Sequence, residues 1–494
     1  MKKIVIIWCL IILSPVLGFS QASKAKIDQV INEREAQSHL RFLASDELMG
    51  RDPIRPEIEV AARYISEQFW KYGAKQVPGA KEYYQEIPFR ISGPAKSGAI
   101  AFNNQNFKLT DDFLVLDGPD INGTFPIAVA GQGSLDEIRS MDLKGKILVT
   151  RVGEPGRTDR AELFNVGRER MALALEKGAV AMIEMYNVTT MPWNLMVNSL
   201  NRTQFGIDQT GGGKSLPYVW MKDLDGALIS ALGSGNVKEL SMSVAGKVNR
   251  PVIGHNVVAW IEGTDPQLKD EFVMLSAHYD HVGVGRPDET GDSIYNGARD
   301  NAVGTVAIIN AAKYFAENPP KRSILLCAWT AEEKGLLGSA YFANNPLIPL
   351  NKIIFNLNID NGGYNDTSII TVIGLGRTSG DDLIGNAVSD FGLTAIADPS
   401  PEQGLYDRSD NVNFARKGIP APTFSLGFRA FDEEINKYYH KPGDHWQNMD
   451  LDYVMKYWKS YILAASKIAD MKERPFWNKN DKYEAAGKSL YDLK

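Results

Sequence analysis

The sequence predicts an α/β fold: a mostly parallel sheet covered by helices on both faces, interrupted by a smaller inserted α/β unit. Three observations predict it. After Pro251, apolar runs short enough for buried strands alternate with longer helical patterns. Between residues 118 and 248 the texture changes to a separate set of strand and helix signals. The chain of 494 residues is 44% hydrophobic and 23% charged, the profile of a water-soluble globular protein with room for roughly two to four domains.

Taken in order, residues 1–20 place Lys2-Lys3 before an unbroken apolar run from Ile4 to Leu13. Ser14-Pro15 and Gly18-Phe19-Ser20 follow. This reads as a secretory signal peptide cleaved near Ser20, too short to span a bilayer. Export outside the cell or into a periplasm follows, with no stable membrane anchor. Residues 21–117 form the first part of the main domain, with a helix over Ile58–Phe69 from its three- and four-residue spacing and strands over Tyr83–Ile91 and Ala99–Leu109. The inserted unit, 118–248, carries a strand over Leu143–Val149, a helix ending at Gly178, a strand over Val180–Met185, and a flexible Gly211–Gly213 loop. Residues 249–474 resume the main domain. Strands are expected over Phe272–Ala277, Ser323–Trp329 and Ile353–Ile359, and helices over Ala302–Phe315 and Glu332–Phe342. A charged, peripheral tail, 475–494, ends the chain.

A net charge of −6 argues against a nucleic-acid surface as the main function. Two cysteines supply no disulfide framework: Cys9 lies in the expected leader and Cys327 in an apolar strand, as a core thiol.

The chemistry-bearing residues fall just after the strands, where ligand crevices form in open α/β sheets. His278 ends one strand, and Asp280, two residues on, can orient its imidazole toward a metal. Asp300 stands at a helix entrance, where an ordinary N-cap is the competing reading. Glu332-Glu333 follow a strand, with the helix dipole as their ordinary explanation. Asp360 closes a buried strand, where an unpaired carboxylate is costly without a cation. His440 lies in a turn and taken alone reads as a surface residue. Each has a plain structural explanation singly; together they supply two imidazoles and several carboxylates at neighbouring strand ends.

These residues stand in Ser276-Ala277-His278-Tyr279-Asp280-His281, Asp300-Asn301-Ala302, Ala331-Glu332-Glu333-Lys334-Gly335, Asn358-Ile359-Asp360 and His440-Lys441-Pro442-Gly443-Asp444. In them the chain resembles the co-catalytic di-zinc aminopeptidases, a family that includes glutamate carboxypeptidase II, glutaminyl cyclase and the transferrin receptor. Residues 118–248 resemble the protease-associated domain that many members carry, and Leu43–Arg51 resembles their N-terminal segment. The resemblance implies two zinc ions per chain. His278 and Asp360 would bind one and Glu333 and His440 the other, with Asp300 bridging and Asp280 orienting His278. Two cations about 3.5–4 Å apart acidify a water near neutral pH, and Glu332 would take its proton and return it to the leaving amine. A cis bond between Asp300 and Asn301 is expected. Tyr406 matches a tyrosine that binds the oxyanion in some relatives, and a packed loop aromatic is the equal alternative. Asn411 departs from the common Ser-Asp-His pattern.

The resulting expectation is a secreted aminopeptidase acting on peptides. A glutaminyl cyclase, a carboxypeptidase using Arg408 or Arg429 for the substrate carboxylate, and a receptor-like protein without activity are the alternatives. His281 and His445 are read as lining the site without ligating, and His39 and His255 as structural or exposed.

Overall fold

The computed structural model describes residues 24–154, 160–208 and 215–493. The expected leader with Cys9 and the Gly211–Gly213 loop lie outside the described residues. The chain parts into two compact units, one running up to Gln85 and resuming at His255, the other Glu86–Gly254.

The first unit is built on β1 (Val248–Ile261, of which the part from His255 on belongs to this unit), β2 (Phe272–His278), β3 (Ser323–Trp329), β4 (Ile353–Ile359), β5 (Ile369–Ile373), β6 (Thr394–Ala397) and β7 (Thr423–Leu426). Their order across the sheet is β6-β5-β7-β4-β2-β3-β1. The β2–β3, β2–β4, β4–β7 and β5–β6 pairs are parallel, and β1–β3 and β5–β7 are antiparallel. Alternate residues of each central strand serve two cores, because strand side chains point to opposite faces with a period of two. Ile324, Leu326 and Ala328 of β3 join the core under the helices Glu57–Lys71, Val303–Glu317 and Leu451–Ala469. Leu325, Cys327 and Trp329 join the opposite core with Phe342, Phe414 and Trp477. Burial on both faces is why these strands read as continuous apolar runs.

The second unit holds a sheet in the order Gln105–Lys108, Ser97–Phe102, Glu239–Ala245, Ile121–Val129, Ile147–Arg151, Ala181–Tyr186, Tyr218–Lys222, Phe113–Asp117. Its bounds correct the expected 118–248. Ser97–Phe102 hydrogen-bonds to Glu239–Ala245 and Phe113–Asp117 to Tyr218–Lys222, so the strands before residue 118 are committed to this sheet.

Two further expectations are corrected. The helix expected from Glu332 begins at Leu337, because Ala331 (φ 56°) and Leu336 (φ 59°) adopt left-handed backbone and Glu332 and Glu333 lie in the turn between them. The tail is not peripheral. Trp477 is buried with its indole donating to Gly418 O at 2.8 Å, and the Tyr491 hydroxyl donates to Ile353 O at 2.6 Å. Among the described residues, no helix is long and apolar enough to cross a membrane.

Candidate metal centre

Parallel strands present their carboxyl ends on one edge of the sheet, and the first unit gathers its polar residues there. His278 is the last residue of β2, Asp360 follows β4, and Glu332-Glu333 lie in the turn after β3. Asp300 sits in the irregular turn before the helix Val303–Glu317, with the expected cis bond to Asn301. His440 follows the helix Glu433–Tyr438.

The carboxylate of Asp300 faces two imidazoles at once. Its Oδ1 is 3.3 Å from His278 Nε2, and its Oδ2 is 3.1 Å from His440 Nε2. Asp360 Oδ1 is 3.2 Å from His278 Nε2, and Glu333 Oε1 is 3.2 Å from His440 Nε2. Two donor groups result, His278 with Glu332 and Asp360, and His281 with Asp300, Glu333 and His440. Asp300 is therefore no simple helix cap, and His440 no lone surface histidine.

Asp280 takes a different part from the one expected. Its carboxylate lies 3.9 Å from His278 Nδ1, whereas its backbone carbonyl lies 3.2 Å away and orients the ring. The carboxylate accepts instead from the Glu332 and Glu333 N–H groups at 3.0 and 3.2 Å, fixing the turn that carries both glutamates. Of the two readings of Tyr406, its contacts favour the packed one. Its hydroxyl donates to Ala421 O at 2.8 Å and Arg377 stacks on its ring at 4.0 Å, so it acts as a packed loop aromatic. The phenol lining the cavity beside the acids is Tyr439, which stacks on His440.

Sequence reading left three contributors without their roles, placing His281 only as lining the site and Asp444 and Arg51 only within motifs. His281, fully buried, points Nδ1 to within 2.9 Å of Glu333 Oε1; the His-x-Asp-His run was its only signal. Asp444 accepts from the Arg299 and Asp300 N–H groups at 2.9 and 3.3 Å and pairs with Arg299 Nη1 at 2.8 Å, joining the Asp300 turn to the His440 loop. Arg51, fully buried, donates to the carbonyls of Leu43, Tyr279, Asn296 and Gly297, which gives the Leu43–Arg51 segment its reason to be there.

The electrostatics separate the acids. Burial pushes the Glu332 carboxyl up; His278 pulls it down, but Asp360, Asp410 and Glu333 leave it well above the usual range. Burial alone would also raise Asp300, yet hydrogen bonds from His278 and His440 hold it well below. Glu333, raised by burial and by Asp300, is drawn down to about 2 by His281 and His440. His440, lowered by burial, is pushed up to about 10 by Asp300 and Glu333. Of Asp300, Glu332 and Glu333 only Glu332 is raised, while Asp280 and Asp410, buried beside them, are also pushed up by burial, to about 6 and about 7.

Nitrogen and carboxylate donors in this mixture suit zinc. The buried, unpartnered ring nitrogens of His281 and Oε1 of Glu333 also fit a cation among them.

Residues 256–464 match the model of Peptidase family M28. The matched segment contains every residue of both donor groups. The chain is 26% identical over 378 residues to the probable leucine aminopeptidase 2 of Aspergillus fumigatus, covering 71% of this chain and 68% of that protein. It is 25% identical over 301 residues to the leucine aminopeptidase 2 of Trichophyton rubrum, with 56% of each chain covered. Among solved structures, the aminopeptidase from Aneurinibacillus sp. strain AM-1 aligns over 90% of this chain and 96% of its own, at 20% identity and a TM-score of 0.47.

Proposed function

We propose that the protein is an exported di-zinc aminopeptidase that hydrolyses N-terminal residues from peptides, with Glu332 as general base. The observation that carries this reading is the Asp300 carboxylate, which turns one oxygen toward His278 and the other toward His440, the arrangement a bridging ligand needs. His278, Asp360 and Asp300 would hold one zinc, and Asp300, Glu333 and His440 the other. When bound, such a pair acidifies water and polarises a carbonyl.

The chain's own residues do the rest. Glu332, kept in place by the Asp280 carboxylate on its N–H, takes a proton from the attacking water and returns it to the departing amine. Tyr439 offers its hydroxyl to the developing oxyanion. Ile373, Leu405, Phe428 and Phe431 line the same cavity as the acids and suit an apolar side chain, in keeping with the relatives' names. Export is supported by the Lys2-Lys3 and Ile4–Leu13 pattern.

The test is a panel of peptides with free, N-acetylated or C-amidated ends, assayed with and without a chelator. N-acetylation and chelation should each abolish cleavage, and added zinc should restore the chelated enzyme. Unimpaired cleavage of the acetylated peptides would overturn the aminopeptidase direction. Loss on C-amidation alone would turn the assignment to a carboxypeptidase, with Arg408 at the cavity wall as the carboxylate partner.

A further inference from the structure

The two groups of donors are not equivalent. Around His278, the distances to Asp360 Oδ1 and Asp300 Oδ1 are 3.2 and 3.3 Å. Around His440 a second imidazole joins. His281 Nδ1 lies 2.9 Å from Glu333 Oε1 and 3.8 Å from Asp300 Oδ2, while His440 Nε2 lies 3.2 and 3.1 Å from the same two oxygens. Donors around one zinc, with bonds of about 2.0–2.1 Å in a tetrahedron, stand about 3.3 Å apart. The four atoms therefore have the spacing of one coordination shell.

Their hydrogen bonding agrees. Glu333 Oε1 has two imidazole nitrogens within 3.2 Å and is hydrogen-bonded to neither among the described residues, and both ring nitrogens of His281 are likewise without a hydrogen-bond partner. Buried donor atoms this close and without a hydrogen bond are the atoms a shared cation would satisfy. The ring is also held in place: the His281 N–H donates to Arg51 O at 3.2 Å, and a Cβ on Gly297 would stand 2.6 Å from the ring carbons. No side chain fits at Gly297 while the imidazole occupies that space.

We propose that His281 is a fourth protein donor at the cation position formed by Asp300, Glu333 and His440. That position is closed, whereas the one formed by His278, Asp300 and Asp360 has three donors once Glu332, which stands in the same group, is kept as the base, and it keeps a vertex for water or substrate. The inference rests on the di-metal reading above and makes the two cations unequal. The closed position holds its ion as a structural site does, and the open one carries the exchangeable, reacting ion.

The experiment is stepwise zinc loading of the stripped full chain, followed by metal analysis, chelator competition and X-ray absorption at the zinc edge. With one equivalent bound, the wild type should show two imidazoles around the ion. One imidazole would overturn the proposal, whatever the variants do. His281→Ala and His281→Gln should weaken the tighter position by more than about a hundredfold while sparing the other, and His440→Ala should give the same selective loss. A smaller drop in the His281 variants overturns the proposal, because about ten- to a hundredfold is what an outer hydrogen-bond partner costs. Wild-type protein that binds no zinc sinks the di-metal reading itself. Two ions bound with one imidazole each sink only the role of His281.

Discussion

Replacing Asp444 with alanine tests how the site is assembled. Asp444 and Arg299 are 1% and 3% exposed, and the carboxylate takes the Arg299 guanidinium at 2.8 Å and the N–H groups of Arg299 and Asp300. Removing one member of a buried ion pair costs about 3–5 kcal/mol, since the surviving charge is left uncompensated. Each buried N–H deprived of its acceptor adds about 1–3 kcal/mol. Arg299 keeps Asn448 O at 2.7 Å and the Tyr438 ring at 3.8 Å in wild type and variant alike, so these contacts hold the guanidinium in place without entering the difference. The expectation for Asp444→Ala is a loss of at least about 3–5 kcal/mol, the ion-pair figure alone, read by equilibrium urea denaturation with metal removed so that binding does not contribute. Asp444→Asn, which keeps an acceptor for the amides, should fall between, and Arg299→Met with Asp444→Leu should recover part of the loss. Variants within about 1 kcal/mol of wild type would refute the claim that this pair ties the Asp300 turn to the His440 loop.

Glu332→Gln should retain its zinc and lose about 10²–10⁴-fold in kcat; wild-type turnover with full metal content would remove Glu332 from the mechanism. Tyr439→Phe should lower kcat by about 10²–10³-fold while Tyr406→Phe stays near wild type, and the reverse order would restore the oxyanion role to Tyr406. Burial lowers His39 to about 4 from 6.5, with its ring held between the Tyr64 and Tyr72 hydroxyls. The unfolded chain therefore binds a proton that the folded chain refuses. Stability should fall as pH drops from about 6.5 toward 4, by about 3 kcal/mol in all, and a His39→Gln variant with the same acid slope would contradict this. Trp477→Ala should cost about 3–5 kcal/mol in the same denaturation assay, and a negligible change would return the tail to the periphery.

The alternation of apolar runs after Pro251 was enough to predict β2, β3 and β4, because strands buried on both faces leave no polar residues to blur the pattern. His278, Asp300, Glu333, Asp360 and His440 were legible for a related reason: polar side chains at the ends of such strands are conspicuous, and their meeting place follows from parallel topology. What failed in the sequence depended on backbone direction or distant partners. Asp280 looked like a partner of His278, but the left-handed turn at Ala331 brings the Glu332 and Glu333 amides to its carboxylate. Tyr406 and Tyr439 differ in which hydroxyl is already engaged, and that depends on Ala421, a residue remote in the chain. The unit boundary moved because Ser97–Phe102 pairs with Glu239–Ala245, a long-range register that local pattern does not encode. Residue type and periodicity thus determined the main fold and the donor inventory, since both are set by burial along each segment. Only the tertiary structure decided which of these side chains approach one another, and that His281 stands 2.9 Å from Glu333, because close approach depends on how distant segments pack.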